Sequence, residues 1–367
     1  MVSRNEPIRI AGAGPAGLAC AIALAQAGSP VVVSEVRDGP AATPPGGLEL
    51  LENWSEEDDA LELFNALGLG VRASAVHEAE LFDGELRRIG VASRRPFAYL
   101  VLRGGSEGSL DAALFARARA VGVEIRFGER RGVAGVEVLA TGPSAPDLLA
   151  KRMVFATDSG DRVAFLFDSV RAPGGFAWLF VEEGVGTLGC LVARDRRHLD
   201  RHLDDSLNCF RKISDFSVSE EQTSNGWVSC IVPGSSQIGG CRVIGEAGGS
   251  RDLLFGLGLR GALADGLLAA ESIARGKSFD ALRDELALPL ARASLAARFR
   301  YERMSDASIG RALARCSRGD FRDRLRRCLR PDFGSEVAAI FARVAWRPPE
   351  SCAHELPAHW CRRIEAD

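Results

Sequence analysis

Residues 8–35 read IRIAGAGPAGLACAIALAQAGSPVVVSE, and this stretch decides the fold. A short apolar strand, Ile8–Ala11, runs into the turn Gly12-Ala13-Gly14-Pro15-Ala16-Gly17. A helix of small and aliphatic residues follows, then a second strand, Val31–Val33, which ends at Glu35. Each part of a dinucleotide site has its mechanical reason here. Gly12 permits the tight turn, Gly14 lets a pyrophosphate approach the backbone, and Gly17 lets helix and strand pack closely. The phosphates are then held at the helix N-terminus, where free N–H groups and the helix dipole favour negative charge. Glu35 stands about 20 residues beyond the glycines, the distance expected of a carboxylate that binds ribose hydroxyls. The competing reading is an ordinary strand–helix–strand unit that binds nothing, and Cys20 inside the helix reads as packing.

The composition belongs to a globular, water-facing chain. At 367 residues it can bury a large core and form two lobes. Charged residues make up 26% and the net charge is −3, which gives no reason to expect nucleic acid as a partner. No apolar run is long enough to span a bilayer, and MVSRNEPIRI is too short and polar for a signal peptide. A cytoplasmic location is therefore expected. The nine cysteines include no Cys-x-x-Cys pair, so neither a metal site nor a disulfide framework is expected.

The Gly-Pro-Ala-Gly-Leu form at 14–18, with Glu35-Val36-Arg37 after the second strand, resembles the opening of a group of FAD enzymes. That group includes the aromatic hydroxylases, the lycopene cyclases and the geranylgeranyl reductases. A second fingerprint of the group has its counterpart in Val243–Gly249 and SRDLLFGLGLRGALADGLLAAES at 250–272. The resemblance implies non-covalent FAD held by Gly12, Gly14, Pro15, Ala16, Gly17, Glu35, Val36 and Arg37. It implies further contacts from Gly245, Glu246, Gly256, Gly258 and Leu259. The acid at 246, Glu here where the group has Asp, would accept a hydrogen bond from the ribityl chain. The amides of Gly256–Leu259 would face the N1–C2=O edge of the ring and stabilise negative charge there.

Tyr99–Arg103, the helix Ser109–Val121 and the strand Glu124–Phe127 resemble the segment in which an Arg precedes a helix beside the cofactor. On that likeness Arg103 holds a phosphate; the alternative is that it faces solvent. Val138-Leu139-Ala140-Thr141-Gly142-Pro143 stands where the group's chain returns to the dinucleotide fold, carrying Ala-Thr-Gly where the group has Gly-Ala-Asp. Ala172-Pro173-Gly174-Gly175-Phe176-Ala177-Trp178 resembles a geranylgeranyl-reductase signature, with Phe176 for Tyr and Val181 for Pro. The likeness covers most of residues 5–275.

The expected fold is α/β: a Rossmann-like FAD-binding lobe with a parallel sheet, an inserted antiparallel substrate sheet and a helical C-terminal region. The expected boundaries are 1–75, 100–158 and 235–275 for the first lobe, 76–99 and 159–234 for the insertion, and 276–367 for the tail. Apolar runs punctuated by glycine mark the inserted strands. Asp200–Phe210 reads as a helix and Ser214–Ser224 as a polar link. Leu282, Leu286 and Leu290 carry helical spacing in the tail, whose helices are expected to pack on the first lobe.

Substrate-wall candidates are Asn53, Trp54, Phe176 and Trp178. Asn53 and Trp54 follow the loop Pro44–Gly47 and would touch ring or substrate; equally, Asn53 or Ser55 caps a helix starting near Glu56, with Trp54 as a hydrophobic staple. Phe176 and Trp178 share one strand face, which reads as core or wall. His198 and His202 lie at i, i+4 among charged residues, so a solvated helix face is favoured over a metal pair. The cluster Arg311–Arg330, interleaved with Asp320 and Asp323, fits an exposed helix and gives weak support for peripheral membrane contact.

These readings converge on a flavin oxidoreductase acting on a small, largely apolar molecule. A reductase or dehydrogenase of carbon–carbon bonds is the first choice. The alternatives are an NAD(P)H-dependent monooxygenase and a flavin-binding protein without turnover. There is no second Gly-x-Gly-x-x-Gly for a resident nicotinamide. Electrons would come from a transiently visiting NAD(P)H or from a redox partner protein.

Overall fold

The computed structural model describes residues 6–39, 46–346, 352, 354, 356 and 359–362. Pro44 and Pro45 lie outside them. The first lobe is a six-stranded sheet in the order Gln237–Ile238, Cys241–Val243, Val138–Leu139, Ile8–Ala11, Val31–Glu35, Glu124–Phe127. All neighbours are parallel except the terminal hairpin pair. Ile10 is opposite Val33 on one side and Val138 on the other. The inner strands Ile8–Ala11 and Val31–Glu35 are largely buried and rich in Val and Ile, as parallel strands covered on both faces are.

Helices Pro15–Gln26 and Leu259–Arg275 pack against each other over this sheet. Their closest approach is at Gly266, where a Cβ would lie 2.6 Å from the Ala16 carbonyl oxygen. A run of alanines on the first helix and one glycine on the second let the backbones approach this closely. Cys20 is buried here, and burial pushes its thiol up to about 12, so packing is its role.

The inserted sheet has seven strands in the order Ser219–Val228, Leu148–Ala156, Val185–Val192, Phe176–Glu182, Arg162–Phe167, Glu78–Asp83, Arg88–Ala92. It is antiparallel apart from the parallel pairing of Arg162–Phe167 with Glu78–Asp83. Along Phe176–Glu182 the side chains alternate. Phe176 and Phe180 belong to the core shared with the C-terminal helices, while Ala177, Leu179 and Val181 pack with Leu203 and Phe210 of helix Leu199–Ile213. Trp178 is opposite Gly189 and Phe155 opposite Gly186. Cβ atoms on those glycines would fall 2.3 Å from the facing rings. Glycine inside a strand here makes room for an aromatic ring across the ladder.

Two sequence expectations change. Leu148–Ala156, read with the 100–158 part of the first lobe, is the second strand of the inserted sheet. Ser214–Ser224, read as a polar link, contributes to the edge strand Ser219–Val228, whose first five residues are exposed. An edge strand solvated on both faces carries no hydrophobic alternation to reveal it.

A small three-stranded sheet, Leu48–Glu52, Ala98–Leu102 and Ser74–Val76, bridges the lobes. The tail forms helices Phe279–Tyr301, Asp306–Cys316, Phe321–Cys328 and Phe333–Ala345. These lie over the inserted sheet, where packing on the first lobe was expected; Phe279–Tyr301 also packs against the first-lobe helix Leu259–Arg275. It also forms a strand, His359–Cys361, paired antiparallel with Ile231–Pro233. No helix among the described residues is long and apolar enough to cross a membrane.

Candidate functional site

The Gly12–Gly17 turn is shaped by missing side chains. Gly12 has φ +103°, and a Cβ on it would sit 2.2 Å from the Ala140 carbonyl oxygen. A Cβ on Gly17 would lie 1.9 Å from the Gly12 oxygen. Gly14 differs, since a Cβ there would meet nothing within 4 Å. It is the N-cap of helix Pro15–Gln26, with no side chain capping it and Pro15 in the first turn. The first-turn amides therefore face an open space beside a glycine, and this cradle fits a dinucleotide pyrophosphate.

Glu35 is buried at the end of its strand. Its Oε2 accepts from the Ala13 N–H at 2.8 Å and its Oε1 from the Arg37 N–H at 3.1 Å. The carboxylate is thus fixed against the turn, while the side chains of Val36 and Arg37 are exposed.

The second glycine turn sits directly against the first. Gly245, at φ +65°, faces the Ala16 Cβ, 2.9 Å from where its own Cβ would be. Gly256 has φ +73°, and Gly258 is the N-cap of helix Leu259–Arg275, again without a capping side chain. The two uncapped helix starts belong to the two helices that cross at Gly266.

Glu246 already has a partner on each carboxylate oxygen. Its Oε1 accepts from the Ser229 N–H at 3.0 Å, and its Oε2 pairs with Arg251 at 2.7 Å. Burial pushes its carboxyl above the usual range, and Arg251 and the Ser229 amide offset this only partly. Arg251 was not anticipated. It lies against Gly258 and has a buried Nε without a partner. Asp265 was also missed: it accepts from the Gly245 N–H at 3.0 Å and pairs with buried Arg283 at 3.1 Å, bracing the turn from behind. An Asp within an Ala/Leu helix was the available signal.

Arg103 does not face solvent. It is largely buried, forks onto Asp111 at 2.8 and 3.0 Å, and also pairs with Glu49. With its donors taken by two carboxylates, a phosphate would have to displace an anion that is already bound. Burial alone would raise the Asp111 pKa; the Arg103 charge and hydrogen bonds reverse this and hold it below the usual value.

Beneath the second turn lies a cavity of about 430 Å³. One wall is the aromatic face of the inserted sheet, Phe165, Phe167, Phe176, Trp178 and Phe180. Trp54 and Phe255, packed edge-to-face at 5.9 Å, form another, continuing into Gly256 and Leu257. The C-terminal helices close it with Ile309, Leu313, Phe321 and Leu325. Polar groups are few, chiefly Glu49, Arg152, Ser224 and Arg251, and most of the lining is hydrocarbon. Tyr301 also lines it; its hydroxyl donates to the Gly175 carbonyl, and burial pushes its pKa up, so it stays protonated.

Of the sequence candidates, Trp54, Phe176 and Trp178 meet at this cavity. Asn53 does not line it. Fully buried, its Oδ1 accepts from the Ala60 N–H at 2.8 Å and its Nδ2 donates to the Pro96 carbonyl at 3.0 Å. The helix after it starts at Leu61, not near Glu56, with no side-chain cap, and Ser55 instead hydrogen-bonds Glu52.

The contribution of the last helices could not be read from sequence, because their inward faces are assembled from short, separate helices. Nor is the Arg311–Arg330 cluster a uniformly solvated face. Arg322 is buried and donates to the carbonyls of Asn53 and Glu56, and Arg326 pairs with Glu57. His198 and His202 both bind Asp195, and His202, expected on a solvated face, is buried.

No protein-family model matches the sequence, and no curated protein matches it either. Solved structures do share the fold. A geranylgeranyl bacteriochlorophyll reductase-like protein from Thermoplasma acidophilum superposes with TM-score 0.68 at 17% identity, over 91% of this chain and 95% of that one. A flavin-dependent brominase gives TM-score 0.62 at 17% identity, over 92% and 97%. The p-nitrophenol 4-monooxygenase of Pseudomonas putida gives 0.60 at 17% identity, over 90% and 98%.

Proposed function

We propose that this chain is an FAD-dependent oxidoreductase whose substrate is a small, largely apolar organic molecule, reduced or dehydrogenated at a carbon–carbon bond. The observation that carries this is the apolar cavity reaching the Gly256–Gly258 turn, beside an uncapped helix N-terminus. Gly12, Gly14 and Gly17 would admit the pyrophosphate, Glu35 the ribose, and the amides following Gly258 the electron-rich edge of the ring. When bound, FAD supplies hydride transfer at N5, which needs no side-chain nucleophile. The protein's part is placement and exclusion of water. The sheet aromatics orient the substrate, and the C-terminal helices keep the cavity dry. The structural likeness to a reductase-like protein, a brominase and a monooxygenase supports flavin chemistry of this general kind and keeps oxygen-dependent turnover as the second reading.

The test is direct. The purified or reconstituted chain is heat-denatured and the released flavin identified; FAD in stoichiometric amount is expected. FMN, or no flavin after reconstitution, overturns the assignment. Anaerobic reduction by NADPH, then addition of apolar alkenes with and without air, separates the readings. Turnover without oxygen supports the reductase, whereas a strict oxygen requirement supports the monooxygenase.

A further inference from the structure

The sequence ends in a pseudo-palindrome, Cys352-x-His354-x4-His359-x-Cys361. Its spacing lacks a Cys-x-x-Cys pair, so the sequence alone indicates no metal. In the structure the four side chains converge, each offering one ligand atom, with all four atoms within 4.8 Å of one another. The backbone explains how. His359 and Cys361 alternate along a strand held by Ile231–Pro233 and so project from one face. Cys352 reaches this face from the preceding segment, its Sγ 3.4 Å from the His359 Nε2.

Both imidazoles are turned so that one nitrogen is anchored and the other is left for a ligand. His354 Nε2 bonds the buried carboxylate of Asp147 at 3.1 Å, and its Nδ1 is buried with no partner. His359 Nδ1 bonds the Leu356 carbonyl, which leaves Nε2 toward Cys352. A carboxylate or backbone carbonyl on the far nitrogen is the arrangement that fixes the tautomer and direction of a metal-bound histidine.

We propose that Cys352, His354, His359 and Cys361 form a structural zinc site. Two thiolates and two imidazoles converging within 4.8 Å suit zinc among the divalent metals, and with all four positions filled by protein the site is closed to substrate. The metal would pin the end of the chain to the strand Ile231–Pro233 and to Asp147. Asp147 also accepts the Cys230 N–H, next to Ser229, which supports Glu246.

The full-length protein, expressed with zinc, is expected to retain one equivalent after dialysis, and the paired Cys352→Ser, Cys361→Ser variant to retain none. Asp147→Asn, which keeps every ligand, is expected to weaken zinc binding by about 10–100-fold. Should the cysteine variant not fold, the zinc-stripped wild type decides. Added cobalt(II) is then expected to give the visible bands of a tetrahedral cobalt–thiolate centre at wavelengths beyond flavin absorption. Wild-type protein without metal and without those bands overturns the proposal, as does a Cys352–Cys361 disulfide in zinc-grown protein.

Discussion

The glycine turn at 12–17 and the aromatic cavity are built by opposite means. The turn is defined by side chains that are absent, so that backbone amides can approach a ligand. The cavity is defined by rings that fill space from one side and leave it open on the other. In the turn, one added methyl group is either impossible, as at Gly17, or harmless to the fold, as at Gly14, and neighbouring positions separate folding from binding. In the cavity no such separation exists: Phe176 is at once core and wall. A ligand cradle made of backbone can be abolished without touching stability; a pocket made of core cannot.

The sharpest way to break this contrast is a pair of glycine variants. Gly17→Val places atoms 1.9 Å or closer to the Gly12 oxygen and is expected to yield no folded protein by circular dichroism. At Gly14 a Cβ meets nothing within 4 Å, so Gly14→Val should melt near the wild type while losing its flavin. If both variants fold and retain flavin, the turn is not the cradle.

Next in size is Trp178→Ala. It should cost at most about 3 kcal/mol, the low end for a large aromatic because the ring is only partly buried. Flavin content should stay near stoichiometric while turnover falls, measured as rate per bound flavin. An unchanged rate would make Trp178 core alone. Glu35→Ala should follow, weakening FAD by about 1–3 kcal/mol through lost ribose hydrogen bonds, read by flavin fluorescence titration.

The smallest effect is in pH dependence. Burial raises the Glu246 pKa in the folded state, so the fold favours its neutral form. That contribution is complete below the unfolded value of about 4.3 and is lost as pH rises to the folded value. Glu246→Gln stays neutral throughout. Its melting temperature relative to wild type should therefore climb across the mildly acidic range and then level off. Parallel curves would contradict the burial of that carboxyl.

Legibility in the sequence followed this same divide. The first strand, turn, helix and Glu35 were readable because their constraints act between near neighbours and restrict residue type: glycine where a Cβ collides, a carboxylate at a fixed separation. The helix read at Ser109–Val121 runs from Leu110 to Ala120, and the strand read at Glu124–Phe127 has those bounds. The pairing of Arg103 could not be read because a local motif says which residue is present and not which distant carboxylates, here Glu49 and Asp111, will meet it. The edge strand Ser219–Val228 gave no alternation to read. The roofing of the cavity by Ile309, Leu313 and Phe321 depends on how separate short helices dock, which no local pattern encodes. Arg322 looked like surface charge, yet its guanidinium fastens the loop at Asn53–Glu56.

The crossing of helices Pro15–Gln26 and Leu259–Arg275 has a consequence for biosynthesis. Gly266 and Ala16 touch, and Val138–Leu139 sits between strands from the start and the late part of the chain. The parallel sheet therefore cannot be completed until the ribosome has passed Val243, nor the helix pair formed until it has passed Gly266. Leu148–Ala156 through Ser219–Val228, joined by antiparallel neighbours, need nothing that comes afterwards to pair. Contacts of long sequence separation form late, so the inserted sheet should emerge first and serve as a nursery against which the nucleotide-type lobe closes. Nascent chains halted before Val243 would then protect the inserted strands from protease while leaving the outer edge of Val138–Leu139 open to it.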